Sequence, residues 1–320
     1  MPRERQREKN ECIDRIVKDL KRIRPQAEGD RLYALDENVR FFEASRTWSS
    51  YVAWILFEMP NVDGTRLLEL SDFDIPEWQT MLQKELMEIE QQKYPDILAQ
   101  LRGELVKEVL AASSRLTRHL VLLGIGAGSM EVERQLVNEL RHLKNTRPIL
   151  FVIVDNSQAS LDAGFKNIGR SGVHCIQRDG IGTSEIVSLR DGLSPGSYSV
   201  LGIRSDALAL PKLFSGRPFD IAYYSKFKHH LPDALKNSFV GMVKKLSPCI
   251  VEGDDYRGFY LPFFSTITAW YKPVLLNGAV FSSLRDPTPS ALRKNLEPDW
   301  KLSFRPAGGY VLTYHEPDPR

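Results

Sequence analysis

The residues with the clearest chemistry lie between Leu120 and Asp155. An apolar run, Leu120 to Leu123, breaks into Gly124-Ile125-Gly126-Ala127-Gly128. Glycine permits close approaches that a Cβ forbids, so three glycines at alternate positions suit a turn that a ligand contacts. A second apolar run, Ile149 to Val154, ends in Asp155. A carboxylate accepts hydrogen bonds at both oxygens, and here it suits the hydroxyls of a ribose. Further along, Tyr224, His229, His230, Glu252, Asp254 and Asp255 are groups able to hold or move a proton. His229 is the first choice for a base, since imidazole titrates nearest neutral pH. The same ring suits capping or packing at a helix start. Two common nucleotide patterns fit poorly. The dinucleotide fingerprint G-x-G-x-x-G/A meets Ser129 at its sixth place, and no Gly-Lys-Ser/Thr follows to make a Walker loop.

These groups need elements to position them. After the glycines, Met130, Val132, Leu136, Val137, Leu140 and Leu143 recur at helical spacing, with Ser129 able to cap and Glu131 and Glu133 in the first turn. Strand, glycine turn, helix and strand with a terminal acid make one unit of an open parallel sheet. Helices are expected over 158–169, 183–190, 234–246 and 288–296. Strands are expected over 198–203, 218–225, 248–252, 300–304 and 310–314, the last two joined through Pro306-Ala307-Gly308-Gly309. Residues 173–177 could form a strand, and the third sheet strand, 198–203, is preceded by an insertion. The resulting fold class is α/β: a doubly wound, mostly parallel sheet of seven strands with a terminal antiparallel hairpin. Upstream lies a helical N-terminal cap. An amphipathic helix covers 3–24 and ends at Pro25. An aromatic stretch follows, with Phe41, Phe42, Trp48, Tyr51, Trp54 and Phe57 suited to core or to the wall of a lid. Asp74-Ile-Pro76-Glu77 starts a helical pair that breaks near Pro95. The boundary expected is 1–112 for the cap and 113–320 for the sheet. Residues 258–283, with Phe259, Tyr260, Phe263, Phe264, Trp270, Tyr271 and Phe281, read as an insertion packing on the helical region.

The alternating glycines followed by Asp155 resemble motif I of the class I S-adenosylmethionine-dependent methyltransferases. Phe219-Asp220 with the hydrophobic run after it, and His229-His230-Leu231-Pro232-Asp233, resemble that family's fourth strand and the segment beyond it. The resemblance covers about residues 118–256 and, more loosely, the terminal hairpin. It implies S-adenosyl-L-methionine as cofactor and methyl transfer to a small-molecule acceptor. It implies cofactor contacts at Gly124, Ile125, Gly126, Gly128, Asp155 and Asn156. It also implies an acid after the third strand for the adenine amino group: Asp206, with Ala207 beside it and Asp179 in reserve. His229, Tyr224 and Glu252 are the catalytic candidates. The family commonly carries an acid two residues before the first glycine, and this chain has Leu122. Transfer of the cofactor's aminocarboxypropyl group, as in nicotianamine-synthase-like enzymes, and non-catalytic binding are the alternatives. Tyr223-Tyr224-Ser225-Lys226 is unlike the Asn/Asp-Pro-Pro-Tyr/Phe of enzymes that methylate base amino groups.

Composition limits the rest. Lysine and arginine number 43 against 41 acids, so no global charge draws the chain to nucleic acid or a membrane surface. Three cysteines, Cys12, Cys175 and Cys249, form no C-x-x-C and fit a reducing compartment rather than a disulfide framework or structural zinc. The histidine pair has no second ligand set at metal spacing, so no metal is expected. The N-terminus is charged rather than apolar, and no apolar run reaches about 20 residues. A cytoplasmic location without membrane attachment is the expectation.

Overall fold

In the computed structural model, which describes residues 2–73, 75–90, 97–116, 119–178, 180–256, 269–304 and 309–316, the run Leu120–Ile125 forms strand β1 with every residue buried. Alternation along it divides its side chains. Leu120 and Leu122 enter one apolar cluster, and Val121, Leu123 and Ile125 enter another. A strand apolar on both faces belongs in the middle of a covered parallel sheet. There β1 pairs with β2 (Ile149–Asp155) on one side and β5 (Ile221–Ser225) on the other, both parallel. The full order is β3-β4-β2-β1-β5-β6-β8-β7, where β3 is His174–Arg178, β4 Tyr198–Arg204, β6 Cys249–Asp255, β7 Trp300–Phe304 and β8 Gly309–His315. The last two pair antiparallel, giving the terminal hairpin; residues 305–308 of its link lie outside the described residues.

The strand count is eight, not seven. Residues 174–178 pair in parallel with β4 and form the sheet's edge, so the possible strand at 173–177 is one and supplies the eighth. Their side chains are only half-buried or exposed, which is why the periodicity was weak. The strand 198–204 lies beside β2, the third-strand place assigned to it from sequence.

Helices cover both faces. On one side lie α5 (Ile97–Ser114), α6 (Glu131–His142) and α7 (Gln158–Gly169), which contribute Leu105, Val109, Leu136, Val137, Leu161 and Ile168. On the other, α8 (Thr183–Asp191), α9 (Leu210–Leu213) and α10 (Asp233–Leu246) contribute Ile186, Leu210, Phe239 and Val243. From β1 the chain winds outward in both directions, which makes the carboxyl ends of β1 and β5 a switch point where such sheets bind ligands.

The chain divides into two compact units, one joining Met1–Tyr94 to Asp255–Pro289 and one joining Pro95–Asp254 to Ser290–Arg320. This differs from the boundary at residue 112. The helix α5 goes with the sheet because Leu105, Val106, Val109 and Ala112 are apolar positions of the sheet's own cluster. A Cβ at Gly253 of β6 would stand 2.6 Å from the Leu105 side chain. Pro95 and Asp74 lie outside the described residues.

The helical unit contains α1 (Pro2–Ile23), α2 (Gly29–Ala44), α3 (Trp48–Ala53), α4 (Pro76–Glu90) and the helix Pro273–Arg285. Four of its aromatics, Phe41, Phe42, Tyr51 and Trp54, are core, whereas Trp48 and Phe57 are 54% and 74% exposed. Phe41 meets Trp54 and Phe281 edge-on at 5.5 and 5.3 Å. Buried Asn38 donates to the carbonyls of Ala34 and Leu68 and accepts from Asn277, whose own oxygen accepts from the Leu70 amide. Of the aromatic segment 258–283, Phe259, Tyr260, Phe263 and Phe264 lie outside the described residues. Among the described residues no helix is long and apolar enough to cross a membrane.

Candidate functional site

The glycine turn leaves β1 between β2 and β5. Gly126 has φ +63° and its amide donates to the Val154 carbonyl at 2.8 Å; Gly128 has φ +51°. Both conformations are strained for side-chain-bearing residues. A Cβ on Gly126 would lie 2.4 Å from the Phe227 ring, whereas one on Gly128 would meet nothing within 4 Å among the described residues. Phe227 therefore closes one side of the turn, and Gly128 faces open space. Gly124 is required for another reason: a Cβ there would strike Ile153, Glu133 and Tyr223 at 2.7–3.0 Å. Ile125 turns its side chain into the core and offers the site only backbone.

Asp155 ends β2 and is buried. Its Oδ2 accepts from the Gly128 amide at 3.2 Å and its Oδ1 from the Ser157 amide at 2.9 Å. Each oxygen thus takes one backbone donor, and a carboxylate has capacity for more. Burial pushes the Asp155 carboxyl up from its ordinary range, and the two amides and the charge of His230 oppose that. Asn156, next in the chain, is exposed.

The helix start differs from expectation. Ser129 does not cap it; Met130 takes the cap position in the left-handed region, φ +53°, with no side-chain cap bond. The fully buried Met130 side chain fits a notch at Gly164 of α7, where a Cβ would lie 2.5 Å from its Cγ. Packing between neighbouring helices, not capping chemistry, sets where α6 begins.

At the carboxyl ends of β5 and β6 the structure brings three of the proton-bearing candidates, His229, His230 and Asp254, together. Lys226, with φ +52°, turns the chain after β5 into a short 3-10 segment, Lys228–His230. His229 and Asp254 are both buried, and the His229 Nδ1 lies 2.9 and 3.0 Å from the two Asp254 oxygens. A carboxylate there favours a proton on Nδ1, which then donates to Asp254. The His230 ring stacks obliquely on His229 with centroids 4.3 Å apart. His230 also lies within electrostatic reach of Asp155, which connects this cluster to the glycine turn.

Tyr224 and Glu252 make a separate pair. The Tyr224 hydroxyl donates to Glu252 Oε2 and the Tyr310 hydroxyl to Oε1, both at 2.9 Å, and Lys228 forms an ion pair with the same carboxylate. Burial and the nearby Glu252 charge hold the Tyr224 hydroxyl well above its ordinary pKa. The tyrosine keeps its proton and the carboxylate is committed to three donors. Asp220, from the Phe-Asp pair, accepts from the Val121 amide at 2.8 Å and ties β5 to β1. Asp206 follows β4, as expected, but is exposed and caps its own turn by accepting from the Leu208 amide at 2.9 Å; Ala207 is buried. Asp179 lies outside the described residues.

Sequence reasoning missed Glu133 as more than a helix-start acid. It has no exposed surface. The signal was available: it precedes Leu136 and Val137 by three and four residues, which puts an acid on the helix's apolar face.

Fold and site together define an open, doubly wound α/β protein with ligand-type groups at the carboxyl ends of its parallel strands. No protein-family model matches the sequence, and no curated protein does. Among solved structures the chain is similar to the plantazolicin methyltransferase BpumL in complex with SAH, with TM-score 0.49, 12% identity, and coverage of 82% of this chain and 99% of that one. It is similar to the CurJ carbon methyltransferase, with TM-score 0.48, 13% identity, and coverage of 90% and 68%. The CMeT domain of the citrinin polyketide synthase gives TM-score 0.48, 13% identity, and coverage of 88% and 66%. Likenesses at this level bear on neither the activity nor the role of any residue.

Proposed function

We propose that the protein binds S-adenosyl-L-methionine on the glycine turn and transfers its methyl group to a small-molecule acceptor. The observation that carries this is the clasp of Asp155 by the Gly128 and Ser157 amides beside a turn whose Gly128 side is open. That set fits a ribose: each Asp155 oxygen has acceptor capacity left, aimed beside backbone that a ligand can approach. Gly124, Ile125, Gly126 and Gly128 would hold the cofactor through backbone, Asp155 and Asn156 at the ribose, and Asp206 with Ala207 at the adenine end.

When bound, the cofactor supplies a methyl group made electrophilic by a sulfonium. This chain's residues would position an acceptor nucleophile, exclude water and, for a hydroxyl acceptor, remove a proton. His229 is the residue for that step. Asp254 holds the ring in place through Nδ1. Tyr224 and Glu252 are better read as positioning residues, because each is engaged with the other. An acceptor that is already a neutral sulfur or nitrogen nucleophile needs only placement.

The test is calorimetry with S-adenosylmethionine, alongside mass spectrometry of the purified protein for retained S-adenosylhomocysteine. Wild-type protein is expected to bind, and Asp155→Ala to lose about 1–3 kcal/mol, as for a lost charge-assisted hydrogen bond. Tight NADH binding with no affinity for the sulfonium would refute the reading.

A further inference from the structure

Glu133 occupies a place where a carboxyl is costly. It lies in the first turn of α6 with no exposed surface, directly behind Gly124, the first glycine of the turn. Its Oε1 accepts from the Tyr223 hydroxyl at 2.7 Å, while its Oε2 is buried and, among the described residues, has no hydrogen-bond partner. A buried polar atom left unpaired costs free energy and calls for a reason. Packing does not supply one, since leucine or methionine would fill the space at less cost. The strand beneath offers no charge of its own: Leu120 and Leu122, which face the same side as Gly124, are apolar core.

We infer that Glu133 is a positioning acid for the cofactor site, ionised when a positively charged ligand settles on the glycine turn and protonated when it leaves. The inference rests on the cofactor reading above. A cation beside a buried carboxyl favours the charged form, so binding must release a proton wherever the free protein holds one. Burial pushes the Glu133 carboxyl to about 7, so the free protein holds that proton over part of the neutral range. The groups that act on it are few. From β5 the Tyr223 hydroxyl stabilises the anion, as does the backbone amide of Glu133 itself; on its own helix Glu131 opposes ionisation, and from α5 Arg102 favours it. Glu131 is itself paired with Arg134. From β2 it meets the apolar Ile153 side of the Gly124 notch. A ligand cation on the turn would add a positive charge that favours the anion.

Because S-adenosylmethionine carries a sulfonium and S-adenosylhomocysteine a neutral thioether, the coupling also separates substrate from product. The experiment is calorimetry with both compounds near pH 7, in two buffers of different ionisation enthalpy, followed by affinities from pH 5.5 to 8. Wild-type protein should release a fraction of a proton on binding the sulfonium compound, and less on binding the thioether. If the ligand lowers the carboxyl by about one pKa unit, sulfonium affinity falls up to tenfold between pH 8 and pH 5.5. Glu133→Gln should lose that release and that slope. Tyr223→Phe, which removes the donor to the anion, should move the proton release to higher pH. Equal proton release in wild type and Glu133→Gln would overturn the inference while leaving the cofactor reading intact. Wild-type protein that binds neither compound would overturn both.

Discussion

Replacing Glu133 by glutamine should change how stability depends on pH, apart from any ligand. Burial raises this carboxyl from an ordinary 4.5 to about 7 in the folded chain. Between those values the folded protein retains a proton that the unfolded chain has released. Wild-type stability therefore falls as pH rises from about 4.5 to about 7, and the loss is complete above the folded value. At about 1.4 kcal/mol for each tenfold change in proton affinity, a carboxyl moved from 4.5 to about 7 costs the folded chain roughly 3–4 kcal/mol at pH 8. Glutamine keeps an oxygen for the Tyr223 hydroxyl and has no proton to lose. The variant should match wild type within about 1 kcal/mol at pH 5 and exceed it by about 2–3 kcal/mol at pH 8. The assay is urea unfolding of both proteins at pH 5, 6, 7 and 8, with slopes compared to confirm that the same surface unfolds. Glu85 of the helical unit, also pushed by burial to about 7, contributes the same trend to both proteins and cancels in the difference. A wild-type-to-variant difference that stays constant from pH 5 to pH 8 would mean that Glu133 titrates normally and the reasoning is wrong.

Three further outcomes are expected. Gly126→Ala combines a left-handed φ with a collision against the Phe227 ring, so it should cost at least 1–2 kcal/mol by thermal or urea unfolding, roughly the αL penalty alone; an unchanged midpoint would mean that Phe227 swings away freely. His229→Ala should leave cofactor affinity intact and slow transfer to a hydroxyl acceptor by roughly 10²–10⁴, and Asp254→Asn should alter the pH profile of the rate more than acceptor KM; a fall below tenfold for His229→Ala would reduce that ring to packing. In the helical unit, Asn277→Ala strips a partner from the buried Asn38 amide and from the Leu70 amide, with an expected loss of about 1–3 kcal/mol and no effect on ligand affinity measured by calorimetry.

The sequence by itself determined the central unit of this protein. Leu120–Leu123, the glycines at 124, 126 and 128, the α6 periodicity and the apolar run into Asp155 each obey local rules of backbone freedom and side-chain alternation. Their order along the chain left one arrangement, and the structure has it. The hairpin and the helices before residue 112 were legible for the same reason. What only the tertiary structure decided were contacts between residues distant in sequence. The strand 174–178 exists because β4 offers it an edge, not because its own side chains alternate. The helix α5 joins the sheet because Gly253 leaves room for Leu105, 148 positions away in the chain. Ser129 was chemically fit to cap α6, but the Met130 notch at Gly164 fixed the start elsewhere. The site divides likewise. Asp155 and His229 were evident as residue types in the right order, whereas the Asp254 carboxylate under His229 and the closure of Gly126 by Phe227 depend on how strand ends converge. Glu133 shows the limit most directly. Its place on an apolar face was written in the spacing, but the desolvation that moves its proton comes from walls that only the folded sheet and helices build.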